Sequence, residues 1–313
     1  MTMADVSAKP LSDCRATAPF WLILGGALDQ DRITAELVDG FERVLGDRSA
    51  VMRTSELVLG VSGGRLTLYD LQGLPLAPPE VAYARLSTPR LSTDREITLL
   101  RHLEGMGTVL LNPIDAVLAC VNKFWHLQQL AVAGLPVPDT RSYVDASMTD
   151  VVRAGVPEPC VVKSVRGHRG RRVFLARDAA MLHDIQGSLS DDAPYLFQEY
   201  VRYSHGRDLR VVVVDGQAVA AQVRVAADGG LKSNLAQGGT STPCTGLHPA
   251  GEALAVAAAE VLGLGVAGVD LLFEPDGSFT ICEVNANVGW REHLHQIVPA
   301  IARTCDARLR ARR

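Results

Sequence analysis

The sequence predicts an α/β (α+β) protein that is built from more than one compact part. The chain has 313 residues, of which 47% are hydrophobic and only 5% are aromatic. A core of that composition rests on Val, Leu, Ala and Ile, which is typical of packed helix and sheet layers. Chains longer than about 250–300 residues divide into domains. We therefore expect two or three modest domains that combine helices with sheets.

Four segments are expected along the chain. They are a flexible leader over residues 1–19, a domain over 20–112, a subdomain over 113–193 and a subdomain over 194–313. The first domain opens with an apolar run, Phe20–Gly25, and a helical pattern, Asp31–Leu45. Thr108–Asn112 has the character of a second buried strand. Strands that alternate with helices predict a small, mostly parallel sheet.

The middle segment contains a helical region followed by two strands. Pro113 lies where helices begin and Gly134 where they end. Cys160–Val165 and Arg172–Ala176 are short apolar runs of the kind that form strands. The residues between them, Gly167–Gly170, predict a mobile turn.

The last segment is predicted from its turn signals, which are strongest at Asp215-Gly216 and Pro275–Gly277. The predicted elements are a strand over Tyr195–Val201, a hairpin of Asp208–Val214 with Gln217–Val225, a helix over Ala253–Leu262, a hairpin of Val266–Phe273 with Ser278–Val284, and a helix from His293 onward.

Composition and charge exclude several classes of protein. A net charge of −4 argues against a general nucleic-acid binder. No apolar run is long enough to span a bilayer, and the first residues lack the apolar run of a signal peptide. We therefore expect a cytoplasmic protein with neither a nucleic-acid nor a membrane partner. The Gly25-Gly26 turn lacks the third glycine of a dinucleotide-binding fingerprint, so a strand–helix turn is the better interpretation.

Three oxygen-bearing side chains near the carboxyl end predict a metal site. Asp270 follows an apolar run, while Glu283 and Asn285 are two residues apart and share one face of the next strand. Antiparallel pairing across the short turn can bring Asp270 alongside them. Two carboxylates and an amide oxygen suit Mg²⁺. The alternative, polar strand ends in water, is disfavoured because the flanking runs are apolar and an unpaired buried carboxylate is costly.

Basic residues in the middle segment predict an anion site. Lys163 interrupts an apolar strand, where a Lys needs an anion unless it extends to water at a sheet edge. Lys123 lies in the predicted helix and is a weaker signal. The segment Arg166–Arg172 is basic, and Gly167 and Gly170 would let its backbone approach a phosphate. It lacks the Walker ending, so on its own a flexible basic hairpin is the simpler interpretation.

Other polar residues could complete a site for a nucleotide. Glu199 ends an apolar strand that can offer backbone groups to a base, and Asp208 could accept hydrogen bonds from ribose. Arg210 and Arg224 lie on adjacent strands and could face an anion together. Lys232–Gly239 is a polar loop. Each of these features on its own is also consistent with a routine strand or loop.

In chain order, these motifs resemble the ATP-grasp superfamily and, within it, the RimK-type glutamate ligases. The matching motifs are Lys123 with Leu135–Thr140, Lys163 before the glycine-containing turn, Gln198–Val201, Arg207–Arg210, Ser233–Leu235 with Gly238-Gly239, Val266–Asp270 and Glu283–Asn285. The resemblance implies an ATP-grasp fold, in which a small parallel-sheet domain is followed by two α+β subdomains that clamp ATP. It also implies ATP and two Mg²⁺ or Mn²⁺ ions as cofactors.

The resemblance further implies a role for each matched residue. The implied nucleotide contacts are phosphate binding by Lys123 and Lys163 beneath the Gly167–Gly170 loop, adenine binding by the backbone of Glu199 and Val201 beside Tyr200, ribose binding by Asp208, and contacts from Lys232, Ser233 and Asn234. The implied metal ligands are Asp270, Glu283 and Asn285. Arg210 and Arg224 would hold an acyl phosphate or a substrate carboxylate.

The implied reaction is ATP-dependent ligation of a carboxylate to an amine. A carboxylate is a poor electrophile until phosphoryl transfer gives it a good leaving group. Two alternatives stay open, namely a kinase or phosphotransferase that needs no amine, and a non-catalytic nucleotide-binding protein. The resemblance also points to a homo-oligomer, such as a dimer or tetramer.

The residues after Asn285 depart from the ligases that modify a ribosomal protein. Where those have Ser-Pro-Gly, this chain has Ala286–Gly289, a form closer to the N-acetylaspartylglutamate-type ligases. We therefore expect amino acids or a small peptide as substrates. Trp290, Arg291 and His293 either help to select that substrate or begin the last helix and pack against the core.

Overall fold

The computed structural model describes residues 17–25, 31–87, 91, 93–167, 172–189, 194–231 and 238–312. Its strands are β1 Phe20–Leu24, β2 Ser49–Arg53, β3 Val58–Ser62, β4 Arg65–Tyr69, β5 Val81–Arg85, β6 Val109–Leu111, β7 Thr140–Arg141, β8 Cys160–Ser164, β9 Val173–Ala176, β10 Tyr195–Glu199, β11 Arg207–Val214, β12 Gln217–Val225, β13 Thr240–Pro243, β14 Val266–Phe273 and β15 Phe279–Asn285. Its α-helices are α1 Arg32–Leu45, α2 Glu96–Gly105, α3 Ile114–Ala119, α4 Lys123–Val132, α5 Met148–Arg153, α6 Ala179–Gly187, α7 Pro249–Val261 and α8 Ile297–Arg310.

Contacts divide the chain into two compact units. Among the described residues, the first comprises those within 17–87, 91–114 and 298–312, and the second comprises those within 115–297. Within the described ranges, no helix combines the length and the apolar character that a membrane span requires.

The first unit contains the predicted parallel sheet. Its strand order is β2-β1-β5-β6, and every neighbouring pair is parallel. All five residues of β1 are buried, as expected for a central strand whose two faces are both covered. Asp31 begins α1 as an N-cap, because its side chain accepts a hydrogen bond from the Thr34 N–H at 2.7 Å. The strands β2 and β5 and the β3–β4 hairpin are additional to the sequence prediction.

The last helix packs in the first unit. The sequence boundaries grouped it with residues 194–313, but the contacts separate it from that segment at Val298. Ile301 and Cys305 are fully buried, and Val298 fills the space over Gly40 of α1, where a Cβ would lie 2.2 Å from the Val298 Cγ1. An apolar periodicity reveals a helix, but it does not say which core the helix will cover.

The second unit contains two antiparallel sheets. The smaller has the order β7-β10-β8-β9 and includes all three strands predicted between residues 160 and 201. The predicted helix between Pro113 and Gly134 is two helices, α3 and α4. They separate because the Asn122 side chain caps α4, accepting a hydrogen bond from the Phe124 N–H at 2.8 Å.

The larger sheet has the order β13-β12-β11-β14-β15 and is antiparallel throughout. Both predicted hairpins are present. The first turns at Asp215 and Gly216, whose φ angles of 49° and 75° are both positive, as the common two-residue hairpin turn requires. One face of this sheet packs beneath α7 in a core that includes Leu209, Val211 and Val269.

A β-bulge lies where β14 meets β15. Leu271 pairs with Ile281 and Asp270 pairs with Glu283, so Cys282 is an extra residue in β15. With unbroken pairing, Cys282 would stand opposite Asp270. The bulge instead brings Glu283 opposite Asp270, and Asn285 opposite Gly268. Bulges commonly re-aim a side chain in this way beside a functional site.

Candidate functional site

Polar side chains collect on the face of the larger sheet that α7 does not cover. Successive residues of a strand point to opposite faces. The apolar residues Leu209, Val211, Ala221, Val269 and Val284 belong to the core under α7. Their neighbours in the chain therefore share the other face, which we call the polar face. It carries Asp208, Arg210, Gln222, Arg224, Gly268, Asp270, Glu283 and Asn285.

Asp270 lies at the centre of an ion-pair network on the polar face. Its Oδ1 accepts hydrogen bonds from Arg210 Nη1 at 2.7 Å and from Arg224 Nη2 at 2.8 Å. Arg224 also donates to both carboxylate oxygens of Asp208, each at 2.7 Å. Burial raises the pKa of Asp270, and the two arginines oppose that rise. The predicted pair of arginines thus faces carboxylates in this structure, and Asp208 is held by Arg224.

Glu283 is held by the first of the predicted lysines. Lys123 Nζ, at the start of α4, donates to Glu283 Oε1 and to the Gly167 carbonyl oxygen, both at 2.9 Å. Burial raises the pKa of Glu283, but the charges of Lys123 and Lys163 outweigh burial and lower that pKa to about 2. The structure therefore brings Lys123, Lys163, Gly167 and Glu283 into one neighbourhood.

Lys163 is a buried cation of this group that makes no direct ion pair within the described ranges. It lies in β8 and is 4% exposed. Its ammonium group forms neither a hydrogen bond nor an ion pair with any side chain in the described ranges. A buried ammonium without a counter-ion is costly. Its position therefore favours a bound anion.

The donor set of Asp270, Glu283 and Asn285 fits a hard divalent cation. Asn285 Nδ2 lies 3.4 Å from Asp270 Oδ2, and Glu283 pairs with Asp270 on the neighbouring strand, so the three residues lie together. No group of three or more His, Cys, Asp or Glu residues is arranged to hold a metal in the described parts of the chain. The candidate site instead combines two carboxylates with one amide, and this set of ligands suits Mg²⁺ or Mn²⁺.

The strand end predicted to hold a base is formed by β10 and the turn that follows it. The Glu199 N–H donates to the Asp139 carbonyl oxygen at 2.7 Å, and the Tyr200 hydroxyl lies 2.6 Å from His205 Nδ1. The carbonyl oxygen of Val201 accepts from the Ser204 N–H at 3.1 Å. The predicted residues Gly170, Lys232, Ser233 and Asn234 lie outside the described residues.

The segment after Asn285 is not helical where a helix was expected. The last helix begins at Ile297, not at His293, because turns occupy the residues between them. Trp290 is buried and packs into the protein, while Arg291 and His293 are exposed. The interpretation that these three residues begin the helix is therefore wrong.

Two polar residues of this region were missed by the sequence analysis. His126 is fully buried, and neither ring nitrogen has a hydrogen-bond partner among the residues described. Burial, together with the charges of Lys163 and Lys123, lowers the pKa of His126 to about 3. Gln222 is 2% exposed, and its Oε1 is likewise unpaired within the described structure. His126 lies three residues after Lys123 in the helix, and Gln222 lies two residues before Arg224 in the strand. These spacings place each residue on the same face as a predicted site residue and were the available signals.

Comparison with known proteins places this arrangement in a family. The family model of the RimK-like ATP-grasp domain matches residues 120–304. β-Citrylglutamate synthase B of Homo sapiens is 44% identical over 283 residues, which cover 87% of this chain and 72% of that protein. N-acetylaspartylglutamate synthase A of Mus musculus is 42% identical over 280 residues, covering 87% and 73%.

A solved structure shares the fold. The ATP-grasp ligase PsnB, complexed with a phosphomimetic variant of its minimal precursor, Mg and ADP, aligns with a TM-score of 0.66. The identity is 22%, and the alignment covers 93% of this chain and 98% of that one. The structural likeness supports the ATP-grasp fold.

The fold and the polar face together define an ATP-grasp enzyme. The chain belongs to the RimK-like ATP-grasp family, as the match over residues 120–304 and the identities above 40% show. It is an ATP-dependent carboxylate–amine ligase, a class of enzyme that forms amide bonds.

Proposed function

We propose that this ligase joins the amino group of glutamate to a carboxylate of a small acidic molecule, such as citrate or N-acetylaspartate. The names of two relatives that are more than 40% identical combine glutamate with such an acid. The observation that carries the proposal is the buried side chain of Lys163, which acts by its charge on Glu283 and has no direct partner among the described residues. It provides a place for a phosphate next to carboxylates that can hold a cation.

The reaction follows from the chemistry of these groups. A carboxylate oxygen of the acid attacks the γ-phosphorus of ATP, and ADP leaves. The resulting acyl phosphate is attacked at its carbonyl carbon by the neutral amine, after which phosphate departs and the nitrogen loses a proton. Lys123 and Lys163 hold phosphate oxygens, and Arg210 and Arg224 hold the acyl phosphate or a substrate carboxylate.

Asp270, Glu283 and Asn285 would hold two Mg²⁺ or Mn²⁺ ions. When bound, the ions would neutralise charge on the phosphates during transfer. In the structure these carboxylates are neutralised by Arg210, Arg224 and Lys123. We infer that ligand binding exchanges the ion pairs made by Arg224 and Lys123 for contacts with phosphate and metal.

The remaining contacts are assigned to the nucleotide. The backbone of Glu199 and Val201, beside Tyr200, would bind adenine, and Asp208 would bind ribose. The loop of Gly167 and Gly170 would cover the intermediate and keep water out. Lys232, Ser233 and Asn234 would line the same site. A cytoplasmic location and a homo-oligomeric assembly complete the proposal.

A product screen tests this function. The purified chain is incubated with ATP, Mg²⁺, glutamate and either citrate or N-acetylaspartate, and the products are identified by mass spectrometry. The expected result is one amide and one ADP per turnover, with no amide formed when the acid or glutamate is omitted. A stable phosphorylated acid that accumulates without any need for an amine would instead establish a kinase.

A further inference from the structure

Gln222 lies in the same cross-strand row as Arg210, Asp270 and Glu283. The register pairs Gln222 with Arg210, Arg210 with Asp270, and Asp270 with Glu283. Directly opposed residues of antiparallel strands have Cβ atoms about 4.5–5.5 Å apart. Gln222 therefore flanks Arg210 on the side away from Asp270.

Both Gln222 and Arg210 carry a buried polar atom without a partner. Gln222 Oε1 accepts no hydrogen bond, and Arg210 Nε donates none, as far as the described residues extend. Buried polar atoms in folded proteins are nearly always paired. An acceptor and a donor on neighbouring side chains therefore indicate a ligand that supplies both partners.

The position of Arg210 is restricted on two sides. Its Nη1 is held by Asp270 Oδ1 at 2.7 Å. Its guanidinium lies over Gly268, where a Cβ would be only 2.2 Å from Nη2 and 2.5 Å from Cζ. Because the bare backbone of Gly268 makes room for this group, Arg210 keeps its bond to Asp270 while Nε is left without a partner among the described residues.

We propose that Gln222 and Arg210 bind the amino-acid head group of the amine substrate. Gln222 Oε1 accepts a hydrogen bond from the attacking amino group, and Arg210 Nε donates one to the adjacent carboxylate. This inference rests on the proposed function, which supplies glutamate as the amine. The amino group carries N–H donors at the reacting atom, as the acceptor Gln222 Oε1 requires, and the carboxylate beside it is an acceptor for Arg210 Nε.

A neutral amide oxygen also suits the chemistry of attack. Only the unprotonated amine can attack the acyl phosphate. A carboxylate at position 222 would favour the ammonium form and so oppose the reaction. Gln222 therefore orients the nucleophile without raising its pKa.

Two nucleophiles of different size test the inference. For Gln222→Met, the KM for glutamate should rise about tenfold or more, while the KM values for ATP and for the acid stay within about twofold. Hydroxylamine, which traps the acyl phosphate as a hydroxamate without needing an amino-acid site, should react at the wild-type rate. Gln222→Glu should move the glutamate-dependent pH profile of kcat/KM to higher pH. Gln217→Met, at the exposed start of the same strand, should behave as wild type.

Several results would overturn the inference. Equal losses with glutamate and hydroxylamine would give Gln222 a purely structural role, and a higher KM for the acid alone would assign it to the other substrate. If thermal denaturation shows that Gln222→Met is unfolded, the pH profile of Gln222→Glu, which keeps the side-chain volume, tests the inference instead, and an unchanged profile would contradict it. A wild-type enzyme that forms no amide with glutamate would contradict the proposed function instead, so the two failures are distinguishable.

Discussion

The two faces of the larger sheet differ although the same strands form them. Beneath α7, Leu209 and Val211 are fully buried in an apolar core. On the polar face, Asp208, Arg210 and Asp270 are nearly as buried, but they are held by ion pairs. Apolar burial stabilises the sheet whatever is bound, whereas buried ion pairs stabilise little relative to apolar packing. We therefore expect stability to depend mainly on the apolar face and activity mainly on the polar face. Mutations on one face should then change one property and leave the other.

The largest expected effect on stability is at the apolar face. Leu209→Ala should lower the free energy of unfolding by about 2–5 kcal/mol, because it removes buried methyl groups and leaves a cavity. Urea denaturation measures this loss, and kcat/KM per folded molecule should change little. Leu247→Ala, on an exposed side chain, is the matched control. A large fall in specific activity without a loss of stability would break the separation between faces.

The largest effect on activity is expected at the centre of the polar face. Asp270→Asn keeps the shape of the side chain but removes a charge that both a metal ion and two arginines require. We expect kcat/KM to fall about 10²–10³-fold, the usual consequence of removing one preorganised charge partner. Steady-state ADP release measures it, with the exposed hairpin residue Asp276→Asn as control. Activity within about threefold of wild type would remove Asp270 from the proposed site.

The lowered pKa of Glu283 predicts a pH dependence of stability for the metal-free protein. Burial raises the pKa, but Lys123 and Lys163 lower it from 4.5 to about 2. A carboxylate with a lowered folded pKa stabilises the fold above its unfolded pKa, and that stabilisation disappears as the pH falls from about 4.5 to 2. The free energy of unfolding should fall by about 1–3 kcal/mol more over this window in wild type than in Glu283→Gln.

Urea denaturation in the presence of EDTA at several pH values between about 2 and 6 measures this difference. Glu260→Gln, on the exposed side of α7, should retain the wild-type pH dependence. If Glu283→Gln also retains it, the two lysines do not stabilise the ionised carboxylate in solution.

The smallest expected effect concerns the space over Gly268. A Cβ there would collide with the guanidinium of Arg210, so Gly268→Ala should displace Arg210 from Asp270 and lower kcat/KM about tenfold. The free energy of unfolding should change by less than about 1 kcal/mol, since the guanidinium is the far end of a flexible side chain. Gly187→Ala, where a Cβ meets nothing within 4 Å, should have no effect on ADP release. Unchanged activity of Gly268→Ala would show that Arg210 tolerates the displacement.

Much of the fold could be predicted because local signals were strong. The turn at Asp215-Gly216 and the apolar runs on either side fix a hairpin, and the alternation along each strand separates the two faces. By contrast, the grouping of α8 with the first unit depends on contacts distant in sequence. The helix break at Asn122 was also missed, because the apolar pattern continues through it.

The residue types of the candidate site could be predicted from the sequence, but the contacts between these residues were harder to predict. The convergence of Asp270, Glu283 and Asn285 was anticipated from strand spacing, but the sequence does not reveal the bulge that achieves it. Nor does it reveal that Lys123 contacts Glu283, since the two residues are 160 positions apart. His126 and Gln222 are candidates only because the structure buries polar atoms of both without a partner among the described residues.

The bulge at Cys282 makes the pairing of the two strands as important here as their composition. Pairing without the bulge would place Cys282 opposite Asp270 and turn Glu283 and Asn285 towards the core under α7. Every amino acid of the candidate metal site would still be present, yet Glu283 and Asn285 would not reach it. A change that straightens this strand would therefore retain the motif and lose the site.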